Sequence, residues 1–166
     1  MSGVEAVIGL SASVLGIASA GISVATTLIR FSLSYKGSVK KIEDLSLRVS
    51  LTATILTTVG KAIESHKDFF KEDDFKEKFG LVIDRCKKDY GTLSVALDQA
   101  RSAAYDVGSG RGGLVKKMTP WKKLVWALGG EERMKDLQSS LEESKSQVLM
   151  MQSAASLIVL QIFGRR

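Results

Sequence analysis

Near its N-terminus, this 166-residue chain has a run of 24 residues, Ala6 to Ile29, with no charged side chain. As an α-helix the run would extend about 36 Å, enough to cross the roughly 30 Å hydrocarbon core of a bilayer. Three glycines, four serines, two threonines and five alanines keep its hydrophobicity moderate. The run therefore predicts one long apolar helix, which either forms the core of a soluble bundle or enters lipid.

Helical spacing divides this run into two neighbouring stripes. The first is mostly large and apolar, and it comprises Val7, Leu10, Val14, Ile17, Gly21, Val24 and Leu28. The second consists of small residues, namely Gly9, Ser13, Gly16, Ala20, Ser23 and Thr27. Repeated small residues let helices approach closely in membranes. We therefore predict that a membrane-inserting helix would use Gly9, Ser13, Gly16, Ala20, Gly21 and Ser23.

The rest of the chain also has helical periodicity, and a single proline, Pro120, interrupts it little. Helices are predicted over 4–33, from Val39 to about Ser65, over 75–107 and over 121–128, with a last one that includes Met134 to Ile162. No segment alternates in the manner of a strand. The sequence predicts an all-α fold, an antiparallel helical bundle of about four long helices plus one short helix, in a single domain spanning 1–166.

The residues that most often carry chemistry are scarce. His66 is the only histidine and Cys86 the only cysteine, and they fall on different predicted helices. A Cys–His catalytic pair or a sulfur–imidazole metal site is therefore not expected. Gly108, Gly110 and Gly113 match a dinucleotide-binding spacing, but no strand precedes them. We predict no enzyme activity, no metal and no cofactor, and the lone cysteine favours an intracellular setting.

A basic segment with two tryptophans follows the third predicted helix. Between Val107 and Gly130 the chain has no acidic residue, and the net charge of the whole protein is +6. Cations beside tryptophan are typical of a membrane interface. We predict contact with anionic lipid through Arg111, Lys116, Lys117, Lys122, Lys123 and Trp121. In the alternative interpretation, Trp121 and Trp126 cover the core and the lysines are simply solvated. Nucleic-acid binding is a third interpretation, but the sequence shows neither aromatic stacking platforms nor a recognition helix.

Three segments together resemble the fungal HeLo-like domain, the N-terminal domain of fungal NLR-like receptors and related cell-death proteins. They are SGVEAVIGLSASVLGIASAGISVATTLIRFS, VKKIEDLSLRVSLTATILTTVGKAI and WKKLVWALGGEERMKDLQSSLEESKSQVLMM. The resemblance implies a helical bundle similar to the executioner domain of the mixed-lineage-kinase-like pseudokinase. It also implies that a glycine-rich first helix is the membrane-active element, which here is Ala6 to Ile29 with Gly9, Gly16 and Gly21.

The resemblance further implies a membrane-permeabilising effector of fungal regulated cell death or heterokaryon incompatibility. Its expected partners are anionic membrane lipids, other copies of itself on activation, and an upstream NLR or amyloid-templating protein. It would be cytoplasmic at rest and at the plasma membrane when active. The alternative function is a soluble helical adaptor or self-association module without membrane activity.

Overall fold

The computed structural model describes residues 3–35, 40–70, 73–105 and 118–164. Five α-helices occupy most of them: α1 (Gly3–Leu33), α2 (Lys40–Ser65), α3 (Asp73–Tyr105), α4 (Pro120–Leu128) and α5 (Glu131–Phe163). A short 3₁₀ turn, Lys67–Phe69, follows α2. Nearly all of the described residues are helical, and none of them is in a strand. The all-α prediction, with four long helices and one short helix, is confirmed.

The boundaries of the short helix follow from local chemistry. Thr119 has an extended backbone, and its side chain accepts a hydrogen bond from the Lys122 backbone N–H. Pro120 occupies the first helical position, where a missing N–H costs nothing. At the other end Gly129 adopts a left-handed conformation with φ of 92°, and its N–H caps the Trp126 carbonyl at 2.9 Å. The sequence therefore fixes both ends of α4.

The four long helices form a square in cross-section. α1 packs against α2 and α3, α5 packs against the same two helices, and α1 and α5 lie on opposite corners. α1 and α2 are antiparallel, because Ser46 near the start of α2 bonds the Ala25 carbonyl late in α1. α3 and α5 are also antiparallel, with Asp89 next to Ser140. α2 and α3 likewise lie on opposite corners of the square.

Each long helix buries one stripe in a common core. On α2 the buried stripe includes Ile42, Leu45, Val49, Ala53, Leu56, Gly60 and Ile63, as the helical period predicts. On α5 the stripe is buried from Met134 to Val148, and farther on only Ala155 is buried, among the side chains that the structure describes. The core is therefore continuous near α4 and opens towards the C-terminal end of α5. That open end also holds the start of α1 and the 3₁₀ turn.

Candidate membrane-contact surface

The inner face of α1 anchors this helix to the rest of the bundle. Val7, Val14, Val24 and Leu28 are buried, and Leu10 and Ile17 pack against the same core from partly buried positions. The predicted apolar stripe is therefore the face that contacts α2 and α3. At rest, these six apolar residues of α1 are committed to the protein.

The outer face of α1 carries the predicted small residues. Gly9, Ser13, Gly16, Ala20 and Ser23 are exposed, and the structure thus places five of the six predicted membrane-inserting residues on the surface. α1 also exposes three isoleucines, Ile8, Ile22 and Ile29, which the sequence analysis did not single out. No charged residue occurs on this face between Ala6 and Ile29. The exposed surface of α1 is therefore long, uncharged and made of small and apolar groups.

Several hydroxyl groups on α1 are hydrogen-bonded within the helix itself. The Ser13, Thr26 and Thr27 hydroxyls each donate to the carbonyl four residues earlier, at 2.9 Å. A polar group that keeps its partner loses little when it leaves water, whereas an unpaired one costs several kcal/mol in hydrocarbon. These side chains therefore oppose transfer into lipid much less than their polarity alone implies.

The glycines of α1 have two different roles. A Cβ atom on Gly9 or Gly16 would have no neighbour within 4 Å. On Gly21 it would lie 2.7 Å from Cε2 of Tyr90 and 2.9 Å from the Ala53 Cβ. Gly21, predicted with the membrane-inserting set, is thus buried where α1 meets α2 and α3. The folded bundle requires Gly21 for close packing but has no steric need for Gly9 or Gly16.

α1 is long and apolar enough to cross a bilayer, judged by length and composition. The qualifying segment is Val7–Leu33, with a mean hydropathy of 1.9, and 33% of an 18-residue stretch within it is buried. Core helices of soluble proteins pass the same test, but they are mostly buried. About half of the residues in this segment are exposed, and Arg30 is the only charged residue among them.

The predicted lipid-contacting residues of the basic segment lie in several different environments. Lys122 is exposed, as predicted. Trp121 is half-buried, and the Lys41 ammonium lies 5.5 Å from the centre of its ring. Trp126, on the outer side of α4, is 50% exposed. The predicted contacts Arg111, Lys116 and Lys117 lie outside the described residues.

For Lys123 the prediction of a solvent-facing lysine is wrong. Its side chain is 2% exposed, and its Nζ donates to the Tyr35 hydroxyl at 3.0 Å. The same ammonium lies 4.7 Å from the centre of the Tyr35 ring. The helical period explains the burial, because residue 123 shares the inner face of α4 with Pro120 and Leu124. Lys123 links α4 to the end of α1 instead of contacting lipid at rest.

A small polar cluster lies between α3 and α5. Burial raises the pKa of the Cys86 thiol to about 11, so the thiol is protonated and weakly nucleophilic at neutral pH. Burial also raises the pKa of the Asp89 carboxyl, although the Ser140 hydroxyl donates to its Oδ2 at 2.7 Å. The buried hydroxyl of Tyr90 has no partner in the part of the chain that the structure describes. This cluster is a packing feature with a local energetic cost.

Among the described residues, neither His66 nor a cluster of metal-binding side chains forms a reactive centre. The His66 Nδ1 atom lies 3.2 Å from the Ala62 carbonyl at the end of α2, the position expected for a histidine that interacts with a helix terminus. Within the described ranges, no three His, Cys, Asp or Glu side chains come together as a metal site. The uncharged outer face of α1 is the most distinctive surface of the described chain.

Comparison with known proteins adds no relative. No protein-family model matches the chain, and no match was found among curated proteins or solved structures. The functional argument therefore depends on the residues and their geometry.

Proposed function

We propose that this chain is a membrane-targeting effector domain that permeabilises membranes through α1, in the manner of the fungal HeLo-like domains that it resembles. The biological setting would be regulated cell death or heterokaryon incompatibility. The domain would be cytoplasmic at rest and would move to the plasma membrane on activation. The observation that carries this proposal is the exposed face of α1, which has no charge over 24 residues.

The energetics of transfer favour α1 over the other helices. Val7–Leu33 would extend about 40 Å as a helix, longer than the roughly 30 Å hydrocarbon core. Between Ala6 and Ile29 its outer face has no charge to desolvate, and the Ser13 and Thr27 hydroxyls bond their own backbone. Its inner face holds the apolar residues that would complete an all-round hydrophobic helix on release.

Release of α1 must be driven by an external signal, because its inner stripe is well buried at rest. Clustering by an upstream NLR or amyloid-templating partner would raise the local concentration of the domain and favour self-association. Anionic lipid would hold the domain at the inner leaflet, with Lys122 as an exposed cation and Trp126 as an exposed aromatic. Each such cation contributes about 1 kcal/mol near an anionic surface.

A charge on the outer face of α1 tests this proposal. We expect Ser13→Asp or Ser23→Asp to fold normally, because both positions are exposed, and to reduce dye leakage from anionic vesicles strongly. The reason is that a central charge costs about 2.5–3.5 kcal/mol on insertion. Thr54→Asp on α2 is the matched control, since Thr54 is exposed and also bonds the carbonyl four residues earlier. Equal leakage from all three folded variants would contradict insertion of α1.

A soluble adaptor is the second candidate function, and the burial of Val14 and Leu28 at 0% exposure favours it. In that case α1 stays in the bundle and its outer face binds a partner helix. Such a protein would leave anionic vesicles intact at every concentration, whereas self-association would remain detectable by sedimentation. Vesicle leakage by the wild-type chain therefore separates the two functions.

A further inference from the structure

The outward face of α5 changes character halfway along the helix. A seven-residue repeat, with alternating steps of four and three, runs down this face, and every member of it is exposed. In the first half the members are polar or acidic, namely Glu132, Asp136, Ser139 and Glu143. In the second half they are Ser146, Met150, Ser153, Leu157, Leu160 and Gly164, which we call the α5 seam. The charged surface expected of a soluble bundle therefore ends where the α5 seam begins.

The second half of α5 is apolar beyond the needs of the core. Residues 146–163, the last 18 of the helix, contain no charged side chain. On the α5 seam Met150 is 65% exposed, Leu157 is 60% exposed and Leu160 is 65% exposed. Beside it, Leu149 and Phe163 are 42% and 59% exposed. Single exposed leucines are ordinary on a protein surface, whereas contiguous ones mark an interaction surface.

The size of this surface matches a weak homodimer. Taking roughly 200 Å² for a fully exposed large side chain, these five apolar residues present about 600 Å² per copy at their observed exposures. A pair of copies would therefore bury about 1,200 Å², the lower limit for a specific and stable interface. The Ser153 hydroxyl donates to the Leu149 carbonyl at 3.1 Å, so this polar group keeps its partner when it is covered.

The order of large and small residues makes the α5 seam complementary to itself. In an antiparallel pair of α5 helices centred on residue 155, Met150 of one copy lies opposite Leu160 of the second copy. In the same pair Ser153 lies opposite Leu157, and two-fold symmetry repeats both contacts. The small side chain of Ser153 thus leaves room for a leucine of the second copy. Both ends of the seam carry small residues as well.

Charge selects the antiparallel arrangement over the parallel one. Parallel α5 helices in register would place Glu132 and Asp136 against the same acids of the second copy, where like charges repel. Antiparallel helices centred on residue 155 overlap along residues 146–164 of the described chain, a stretch without charge. The acidic half of each face then lies beyond the seam of the other copy.

We propose that two copies of this chain pair through the α5 seam as an antiparallel, two-fold dimer centred on residue 155. The pairing rests on the proposed function in one respect, since it supplies a surface for the self-association that follows clustering. Its contacts involve neither α1 nor lipid, and it is measured in solution. A monomeric chain that permeabilises vesicles would contradict the dimer alone, and a dimer that leaves vesicles intact would contradict the proposed function alone.

Sedimentation equilibrium of the full chain tests the pairing without lipid. We expect the average mass to rise from 18.0 kDa towards twice that value between about 10 μM and about 1 mM. Leu157→Glu should weaken the pairing by about tenfold or more, because two-fold symmetry buries the new carboxylate twice. Leu47→Glu on α2 is the matched control, since Leu47 is 58% exposed and lies outside the seam.

Two outcomes of sedimentation would overturn the dimer. The first is equal association of Leu157→Glu and Leu47→Glu, with circular dichroism showing that both are folded. The second is a wild-type chain that stays monomeric at about 1 mM, the concentration at which even a weak complex is half formed. If that monomer binds vesicles and Leu157→Glu does not, the seam contacts lipid instead of a second copy.

Disulfide trapping tests the direction and register of the pair. A Ser153→Cys copy mixed with a Leu157→Cys copy should form a disulfide between the two chains, and the native Cys86 thiol is buried. Ser139→Cys, exposed on the acidic half of the same face, is the control and should not bond to the Leu157→Cys copy. Isotope labelling of one variant identifies the mixed dimer by mass spectrometry. Bonding of Ser153→Cys copies mainly to one another would show a parallel pair and contradict this arrangement.

Discussion

α1 and α2 pack against each other along most of their lengths, yet their outer faces differ completely. Both bury a regular apolar stripe in the same core. α2 carries seven charged residues in 26, all exposed: Lys40, Lys41, Glu43, Asp44, Arg48, Lys61 and Glu64. α1 carries only Glu5 and Arg30 in 31 residues, and both lie near its ends. The core explains the inner faces of both helices, but it does not explain the missing charges of α1.

The difference separates residues that build the bundle from residues that are free to serve another purpose. A soluble bundle requires inward apolar residues and tolerates many outward ones, and charges are the usual choice on the outer face. α2 follows that rule, whereas α1 has glycine, alanine, serine and isoleucine instead. The inner face of each helix therefore stabilises the bundle, whereas the outer face of α1 is available for the proposed membrane activity.

The largest expected effect comes from the inner face of α4. Lys123→Glu would bury a carboxylate beside the Tyr35 hydroxyl at a site that is 2% exposed. We expect it to destabilise the fold by about 3–5 kcal/mol, the usual cost of a buried charge without its partner. Lys122→Glu, its exposed neighbour, should change stability by less than about 0.5 kcal/mol. Chemical denaturation followed by circular dichroism measures both, and equal stabilities would refute the burial of Lys123.

The glycines of α1 provide the second comparison. Gly21→Leu forces a side chain against Tyr90 and Ala53 and should cost about 3 kcal/mol of folding stability. Gly16→Leu meets open space and should be neutral or stabilising by up to about 1 kcal/mol, because leucine is the better helix former.

The same Gly16→Leu variant tests whether the outer face of α1 contributes to membrane permeabilisation. If small residues pack helices together in lipid, this folded protein should permeabilise vesicles less than the wild type does. Vesicle leakage at the wild-type level would remove the small-residue face from the mechanism, while the stability difference between the two glycine variants would remain.

A smaller effect is expected at Tyr90, which packs against Gly21. Its buried hydroxyl has no partner within the described part of the chain. Tyr90→Phe removes that unpaired group and should stabilise the resting bundle by about 1 kcal/mol. Vesicle leakage should become slower, because α1 would be held more firmly. Tyr35→Phe is the control of opposite sign, since it removes the acceptor of the Lys123 ammonium.

Periodicity made most of the fold predictable. The stripes on α2 and α5 and both ends of α4 follow from spacing, Thr119, Pro120 and Gly129. The burial of Lys123 was not predicted, because sequence charge was read as exposure although the helical period placed the residue beside Leu124. The separate roles of Gly16 and Gly21 depend on where Tyr90 packs, which no local pattern contains. The charge-free end of α5 was visible in the sequence, but its exposure depends on helix arrangement.

The environment of residue 16 in the presence of lipid tests the central claim most directly. Gly16→Cys introduces an exposed thiol with open space around it, and the native Cys86 thiol is buried with a pKa raised to about 11, so labelling is selective. With an environment-sensitive NBD label, we expect a blue shift and increased emission on adding anionic vesicles. The same label at Thr54→Cys on the charged face of α2 should change little. Unchanged emission at residue 16, under conditions in which the wild-type protein binds the vesicles, would contradict entry of α1 into the membrane.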